Sequence, residues 1–101
     1  MEDIFGDVAL VFVRIHRLHD AAEGAMHGVE MIEELARHGY KISPGTLYPM
    51  LHALERKGYL TSRTERAGRS QRRIYRATPY GVEALAFARA RVRELVREVA
   101  P

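Results

Sequence analysis

Residues 43–60, SPGTLYPMLHALERKGYL, carry the most informative local pattern in the chain. Ser43 and Pro44 are typical of the cap and the first turn of a helix. An apolar stripe at helical spacing follows, made of Leu47, Met50, Leu51 and Leu54. Gly58 is typical of a helix end. Pro49 removes one backbone hydrogen bond, so the pattern predicts either an irregular first turn or a helix that restarts at Thr46.

A shorter amphipathic helix is predicted before this one, over residues 28–38. Its expected inner face consists of Val29, Ile32, Leu35 and Ala36. Gly39 is expected to end it in the left-handed conformation. Only four residues then separate the two helices, which is the pattern of a helix-turn-helix.

A β-hairpin is predicted after the second helix. Residues 59–65 and 72–78 are rich in aromatic and β-branched residues, and RAGRSQ joins them with Gly68 at the bend. Alternation places Tyr75 and Ala77 on one face, with Ile74 and Arg76 on the other. A two-stranded hairpin is barely stable alone, so its inner face should lie on the helices as a wing.

Two further helices are predicted at the ends of the chain, over residues 4–19 and 79–100, with a polar break at 20–25. Arg14 and Arg17 fall off the apolar stripe of the first helix. Thr78 and Pro79 begin the last helix, which carries an apolar seam. Nothing else in the chain could cover the apolar faces of the first and last helices. These two helices are therefore predicted to pair and to meet their copies across a two-fold axis. The predicted dimerisation residues are Ile4, Phe5, Val8, Phe12, Leu85, Ala88, Val92, Leu95 and Val99.

Length and charge limit the alternatives. The 101 residues suffice for one domain, and the absence of cysteine excludes disulfides. Neither a signal peptide nor a membrane-spanning run is visible, so a cytoplasmic location is expected. Residues 56–76 hold eight basic residues and one acid, a local balance of +7 in a chain whose net charge is +3. This asymmetry predicts a localised surface for a polyanion.

The chain resembles the PadR family of bacterial winged helix-turn-helix regulators, in particular its short members with one C-terminal helix. The resemblance rests on GTLYP followed by Leu51 and LERKGYL within residues 43–60, and on Met26-His27-Gly28 followed by Glu30. Arg76-Ala77-Thr78 followed by Gly81 matches the end of the wing. Val29, Ala77 and Pro79-Tyr80-Gly81 depart from the usual pattern at positions that affect packing.

The resemblance implies a mainly α fold with a small β-hairpin: one domain with a first helix (4–19), a winged helix-turn-helix (28–78) and a dimerisation helix (79–100). It also implies a homodimeric repressor on a pseudo-palindromic DNA operator, associated with the nucleoid when bound. The predicted DNA-binding residues are Ser43, Pro44, Thr46, Tyr48, Pro49, His52, Arg56, Lys57, Arg66, Arg69, Ser70 and Arg72. Alternation prevents Arg63, Arg72, Arg73 and Arg76 from all facing DNA.

Some of these residues also fit simpler roles. Tyr48 could pack between helix and wing, His52 could be a solvated surface residue, and Arg56 and Lys57 could stabilise the helix C-terminus. Neither His16, His19 and Asp20 nor the Glu34 and His38 pair offers a complete set of metal ligands, so no metal, cofactor or catalysis is expected.

Two further expectations concern partners. A winged helix used only for protein contacts is the alternative function, but it would not require the +7 segment. Some family members respond to small aromatic molecules, which leaves an inducer of unknown identity among the expected partners. Phe5, Phe12 and Phe87 are most simply dimer-core residues.

Overall fold

A computed structural model describes residues 2–101, except for the side chains of residues 2–9 and of Ala67. Along the described chain the elements are α1 (Glu2–Glu23), β1 (Met26–His27), α2 (Gly28–Arg37), α3 (Pro44–Arg56), β2 (Leu60–Ala67), β3 (Ser70–Ala77) and α4 (Pro79–Val99). The strands form one antiparallel sheet in the order β1-β3-β2. The predicted helix-turn-helix and its β-hairpin wing are therefore confirmed. No helix in the described part of the chain has both the length and the apolar character needed to cross a membrane.

The first helix is longer than predicted, and its buried face agrees only in part with the predicted one. It continues to Glu23, so the predicted break at 20–25 is wrong over its first four residues. Val13, Leu18 and Ala21 are buried, whereas Val11 is exposed. Helical spacing predicts an apolar stripe of Ile4, Val8, Val11, Ile15 and Leu18. The prediction is right for Leu18 and for Ile15, which is half-buried against the core, and wrong for Val11; the side chains of Ile4 and Val8 are not among those described. The buried face also contains a charged residue.

That residue is Arg17, which is fully buried although the sequence pattern placed it outside the core. Its Nη1 donates to the main-chain oxygen of Met31 at 2.7 Å, and its Nη2 lies 2.7 Å from Asp20 Oδ2. Burial lowers the pKa of the guanidinium and the Asp20 carboxylate opposes that change. Arg17 therefore fastens α1 to α2, and the carboxylate one turn later in α1 compensates its charge.

The inner face of α2 also differs from the prediction. Gly28, Met31 and Leu35 are buried, whereas Val29 and Ala36 are exposed. The three buried residues lie at positions i, i+3 and i+7 of a helix that begins at Gly28. The prediction is therefore right for Leu35 and for Ile32, which is half-buried against the core, and wrong for Val29 and Ala36.

α3 runs without interruption from Pro44 to Arg56, so the predicted restart at Thr46 is wrong. Its first turn is tightened, because the carbonyl of Ser43 accepts from the amides of both Thr46 (3.1 Å) and Leu47 (3.0 Å). Pro49 lies within the helix and has no N–H to donate. Pro49 is the sixth residue of α3, so the carbonyl of exposed Gly45 is left without its helical donor.

The helix ends at a glycine, as predicted. The amide of Tyr59 donates to the Leu54 carbonyl at 3.0 Å, and Gly58 between them has a φ of 85°. A left-handed residue followed by this backward bond is a Schellman motif, in which glycine avoids the strain that a Cβ would cause. Gly39 ends α2 in the same manner.

The wing is longer, and its loop shorter, than predicted. β2 and β3 pair from Leu60↔Ala77 to Ala67↔Ser70, leaving Gly68 and Arg69 as a two-residue loop. Gly68 has a φ of 61°, and none of the described non-glycine residues has a positive φ, which matches a type II′ hairpin turn. β1, a strand that was not predicted, pairs Met26 with Tyr75 and His27 with Ile74.

The end of α3 is joined directly to the start of α4. Thr78 caps α4 by accepting from the Gly81 amide at 2.9 Å, and its hydroxyl donates to the Gly58 carbonyl at 2.5 Å. The Thr78 amide donates to the Tyr59 carbonyl at 3.0 Å. The rings of Tyr59 and Tyr80 stack with centroids 5.2 Å apart. We call this junction, residues 58–59 and 78–81, the α3–α4 joint.

Candidate nucleic-acid interface

α3 buries one side and exposes the other. The buried side consists of Leu47, Met50, Leu51 and Leu54, as predicted. Since successive residues turn by about 100°, the opposite line runs through Gly45, Pro49, His52 and Arg56, which are all exposed. This exposed line is the part of α3 that could enter a groove of DNA without disturbing the core.

Two residues predicted to bind DNA, Tyr48 and Thr46, lie to either side of that line. Tyr48 is half-buried against Gly28, where a Cβ would overlap its ring and hydroxyl. Thr46 is exposed and its Oγ1 lies 3.3 Å from the Ser43 hydroxyl, at the start of the helix. Tyr48 thus packs against the start of α2, and its DNA-binding role stays a prediction.

The α1 side of α3 forms a shallow groove of about 310 Å³. Thr46, Pro49 and Lys57 line it from α3, and Leu10 and Arg14 line it from α1. The sequence pattern did not place Arg14 on this surface, because it does not show which residues of α1 lie beside α3.

Strand register divides the wing arginines between two faces. Residues directly opposite on neighbouring strands share a face, and the buried Tyr75 is paired with Ser62. Ser62 donates to Glu55 of α3 at 2.7 Å, so this face is turned toward the helix. Arg73 lies on the same face, two residues from Tyr75 along β3. Arg66 lies on it too, four residues from Ser62 along β2. Arg63, Arg72 and Arg76 belong to the other face.

The tip of the wing carries Arg69. It is exposed in the loop after Gly68, and exposed Ser70 begins the returning strand. A narrow two-residue tip with a cationic side chain fits the minor groove of DNA in size and charge.

The basic segment is almost free of compensating charge. All eight of its basic residues are exposed. Among the described side chains, the only carboxylate within ion-pair distance of any of them is Glu65, which lies 3.7 Å from Arg63. The segment consists of Arg56, Lys57, Arg63, Arg66, Arg69, Arg72, Arg73 and Arg76.

A second polar cluster lies where α1 meets the end of α2. The rings of His16 and His38 are 4.9 Å apart, and His38 Nε2 is 3.1 Å from Glu34 Oε1. Burial, followed by the charges of His38 and Arg17, lowers the pKa of His16. Hydrogen bonds from Arg37 and His38 lower the pKa of the Glu34 carboxyl.

The structure does not bring His16, His19 and Asp20 together as one site. His19 Nδ1 lies 3.0 Å from Arg89 Nη2, and Asp20 pairs with Arg17. Within the described residues no group of three or more His, Asp or Glu side chains could hold a metal ion.

The predicted dimerisation residues fall into three groups. Phe12, Val92, Leu95 and Val99 are exposed apolar side chains, and Val96 adds an unpredicted one beside them. Leu85 is buried in its own chain and Ala88 is half-buried, so these two offer less surface to a partner. The side chains of Ile4, Phe5 and Val8 lie outside those that the structure describes. Phe87 is exposed, with the Arg91 guanidinium 5.3 Å from its ring centre.

Comparison with known proteins identifies the family. A family model described as "Transcriptional regulator PadR-like family" matches residues 18–87. Transcriptional regulator Rv3488 of Mycobacterium tuberculosis (strain ATCC 25618 / H37Rv) is 52% identical over 87 residues, which cover 86% of this chain and 81% of that protein.

Solved structures agree with that match. A PadR family regulator from Eggerthella lenta DSM 2243 has a TM-score of 0.81 at 29% identity, covering 97% of this chain and 90% of the other. A PadR family regulator from Clostridium difficile R20291 is similar in fold, with a TM-score of 0.77 at 16% identity over 89% of this chain and 99% of the other. This winged helix-turn-helix chain therefore belongs to the PadR-like family of transcriptional regulators.

Proposed function

We propose that this transcriptional regulator is a repressor that binds double-stranded DNA sequence-specifically, as a homodimer on a pseudo-palindromic operator. The observation that carries the proposal is the exposed line of α3 beside a wing whose basic residues are exposed and largely without carboxylate partners. A surface used only for protein contacts would not require this concentration of uncompensated positive charge.

Base reading falls to the middle of the exposed line. The major groove is about 12 Å wide and admits a helix, so Pro49 and His52 would meet base edges there. Thr46 would contact them from the α1 side. Contacts to thymine methyl groups, hydroxyl hydrogen bonds and DNA shape fit these side chains better than bidentate recognition of guanine does.

Phosphate binding falls to predicted residues at the two ends of α3 and on the wing, where Arg66, Ser70 and Arg72 would contribute. Ser43 and Pro44 lie at the start of α3, where main-chain N–H groups are available to phosphate oxygens. Arg56 and Lys57 lie at its other end, while Arg69 at the wing tip would enter the minor groove. Charge neutralisation at these positions would supply most of the affinity, and the affinity would therefore fall as salt rises.

The exposed apolar residues of α1 and α4 support the proposed homodimer. Leu95 and Val99 are 52% and 70% exposed in the single chain. Their burial against a second copy would remove a large apolar patch from water. Two-fold symmetry would then place two α3 helices in successive major grooves, about 34 Å apart.

The binding test begins with selection of duplexes from a random library by the purified protein. Titration of the selected duplex at several salt concentrations should show that Arg69→Ala weakens binding and lowers the salt slope by about one unit. Arg97→Ala, which removes an exposed charge in the last turn of α4, should leave the slope unchanged. If no duplex is enriched, the alternative function, a winged helix for protein contacts alone, takes its place.

Repression is tested separately. The selected duplex is placed between a promoter and a reporter gene, and reporter output should fall when the protein is supplied. A rise in output would identify an activator instead. A small-molecule inducer stays an expectation from the family resemblance, and no cofactor is part of the proposal.

A further inference from the structure

Glu55 is the only acidic residue in α3, and it directly precedes the basic segment that begins at Arg56. A carboxylate beside a surface that attracts phosphate groups weakens that attraction. Electrostatics alone would therefore favour a neutral or basic residue at this position. The Glu55 side chain is half-buried rather than free in solvent, so its contacts within the chain indicate a different role.

The Glu55 carboxylate is bound to the wing. The Ser62 hydroxyl of β2 donates to it, with the hydroxyl oxygen 2.7 Å from Oε1 and 3.0 Å from Oε2. A hydrogen bond to an ionised acceptor is shorter and stronger than one between neutral groups. Both residues are partly sheltered from water, which strengthens the bond further. The bond thus joins the end of α3 to the base of the wing.

This contact lies on the outermost sheltered row of the wing. Ser62 is paired with Tyr75, which is fully buried. Further out, every wing residue from Arg63 to Arg73 whose side chain is described is exposed. The bond between Glu55 and Ser62 therefore lies close to the point at which the wing leaves the core.

The angle of the wing at that point decides where its tip would reach DNA. From Ser62 to Gly68 the strand extends about 20 Å, at roughly 3.4 Å per residue. A tilt of about 10° would move the tip by about 3.5 Å, which is more than half of the ~6 Å width of the minor groove. A wing that already has the right angle in the free protein also avoids the cost of being ordered on binding.

We propose that Glu55 is a positioning residue for DNA binding, which fixes the angle between α3 and the wing through the hydroxyl of Ser62. The inference rests on the proposed DNA-binding function, because this angle matters only when α3 and the wing tip contact one duplex. Glu55 itself touches no DNA. Its charge lowers the general attraction to DNA, while the fixed wing raises discrimination in favour of a duplex on which both contacts form together.

Ser62→Ala tests the proposal without removing a charge. Affinity for the selected duplex should fall roughly fivefold and affinity for a random duplex less than about twofold, with the salt slope unchanged. Ser62→Thr keeps the hydroxyl and should restore wild-type binding. Thr64→Ala is the matched control, because Thr64 is exposed on the same face of β2, two residues further out. It should leave both affinities unchanged.

The position of the wing on DNA can be measured directly, because the chain contains no cysteine. Glu65→Cys places a single thiol at an exposed wing residue that is not proposed to bind DNA. An iron–EDTA group attached to this thiol cleaves the DNA near it. The labelled parent should cleave a narrow set of positions in each half-site. Adding Ser62→Ala should spread the cleavage over neighbouring positions, whereas adding Thr64→Ala should not.

The outcomes separate this proposal from the proposed function. If wild-type protein selects no duplex, the proposed function fails. If it selects one but Ser62→Ala keeps either the parent's cleavage pattern or its affinity ratio between the selected and the random duplex, the positioning role alone is refuted. An equal loss of affinity for both duplexes keeps that ratio, and with a lower melting temperature it would assign the bond to stability only.

Discussion

The buried Arg17 allows a quantitative prediction about what holds α1 against the winged helix-turn-helix. Arg17→Met keeps the length of the side chain but removes its charge and its donors. Two groups then lose their partner: the Asp20 carboxylate, whose side chain is 12% exposed, and the carbonyl of Met31. Breaking a buried ion pair by removing one partner costs about 3–5 kcal/mol. Since Asp20 keeps some contact with water, we expect about 3 kcal/mol.

A double variant separates lost attraction from uncompensated charge. Arg17→Met with Asp20→Leu leaves no unpaired carboxylate, so its free energy of unfolding should recover by at least about 1 kcal/mol relative to Arg17→Met alone. Urea unfolding followed by far-ultraviolet circular dichroism measures these values, at one protein concentration because self-association would contribute to apparent stability. A loss below about 0.5 kcal/mol for Arg17→Met, or no recovery in the double variant, would refute the assignment.

Three further variants test other parts of the structure. Gly81→Ala should lower the melting temperature by several degrees, because its Cβ would overlap the Tyr59 carbonyl; Gly24→Ala, with nothing within 4 Å, should not. The pKa of His16 is lowered in the folded chain, so the unfolded chain binds a proton at this residue more readily and the free energy of unfolding falls as pH drops below 6.5. In His16→Asn this fall should be smaller. Urea unfolding from about pH 7.5 to 5 measures it, and the same pH dependence as in wild type would refute the prediction. Leu95→Asp should give a monomer or an unfolded chain, and a wild-type dimer by light scattering would remove Leu95 from the interface.

Elements with local signals were predicted well from the sequence. The proline after each cap, the leucine stripe of α3 and the glycine at position 58 act within a few residues of themselves, and all appear in the structure as expected. The hairpin was also recognised, because Gly68 and the β-branched residues around it are a local pattern too.

Features that depend on distant partners were not predictable in the same way. β1 is two residues long, too short for any periodicity, and exists only because β3 pairs with it. Arg17 is buried because Met31 and Asp20 meet it, which a ranking of residues by polarity cannot show. The faces of the wing arginines required the strand register, and that register depends on a loop of two residues rather than six.

The α3–α4 joint gives the regulator a mechanical property. α4 has 21 residues and is therefore about 30 Å long. In a dimer held through the outer half of α4, each helix would act as a lever with its α3 fixed to the free end. Measured from the middle of that outer half, about 22 Å away, a change of about 10° in the crossing angle would move the two reading helices by about 4 Å relative to each other. Whatever alters the packing of the two levers would thereby alter the groove spacing that the dimer fits.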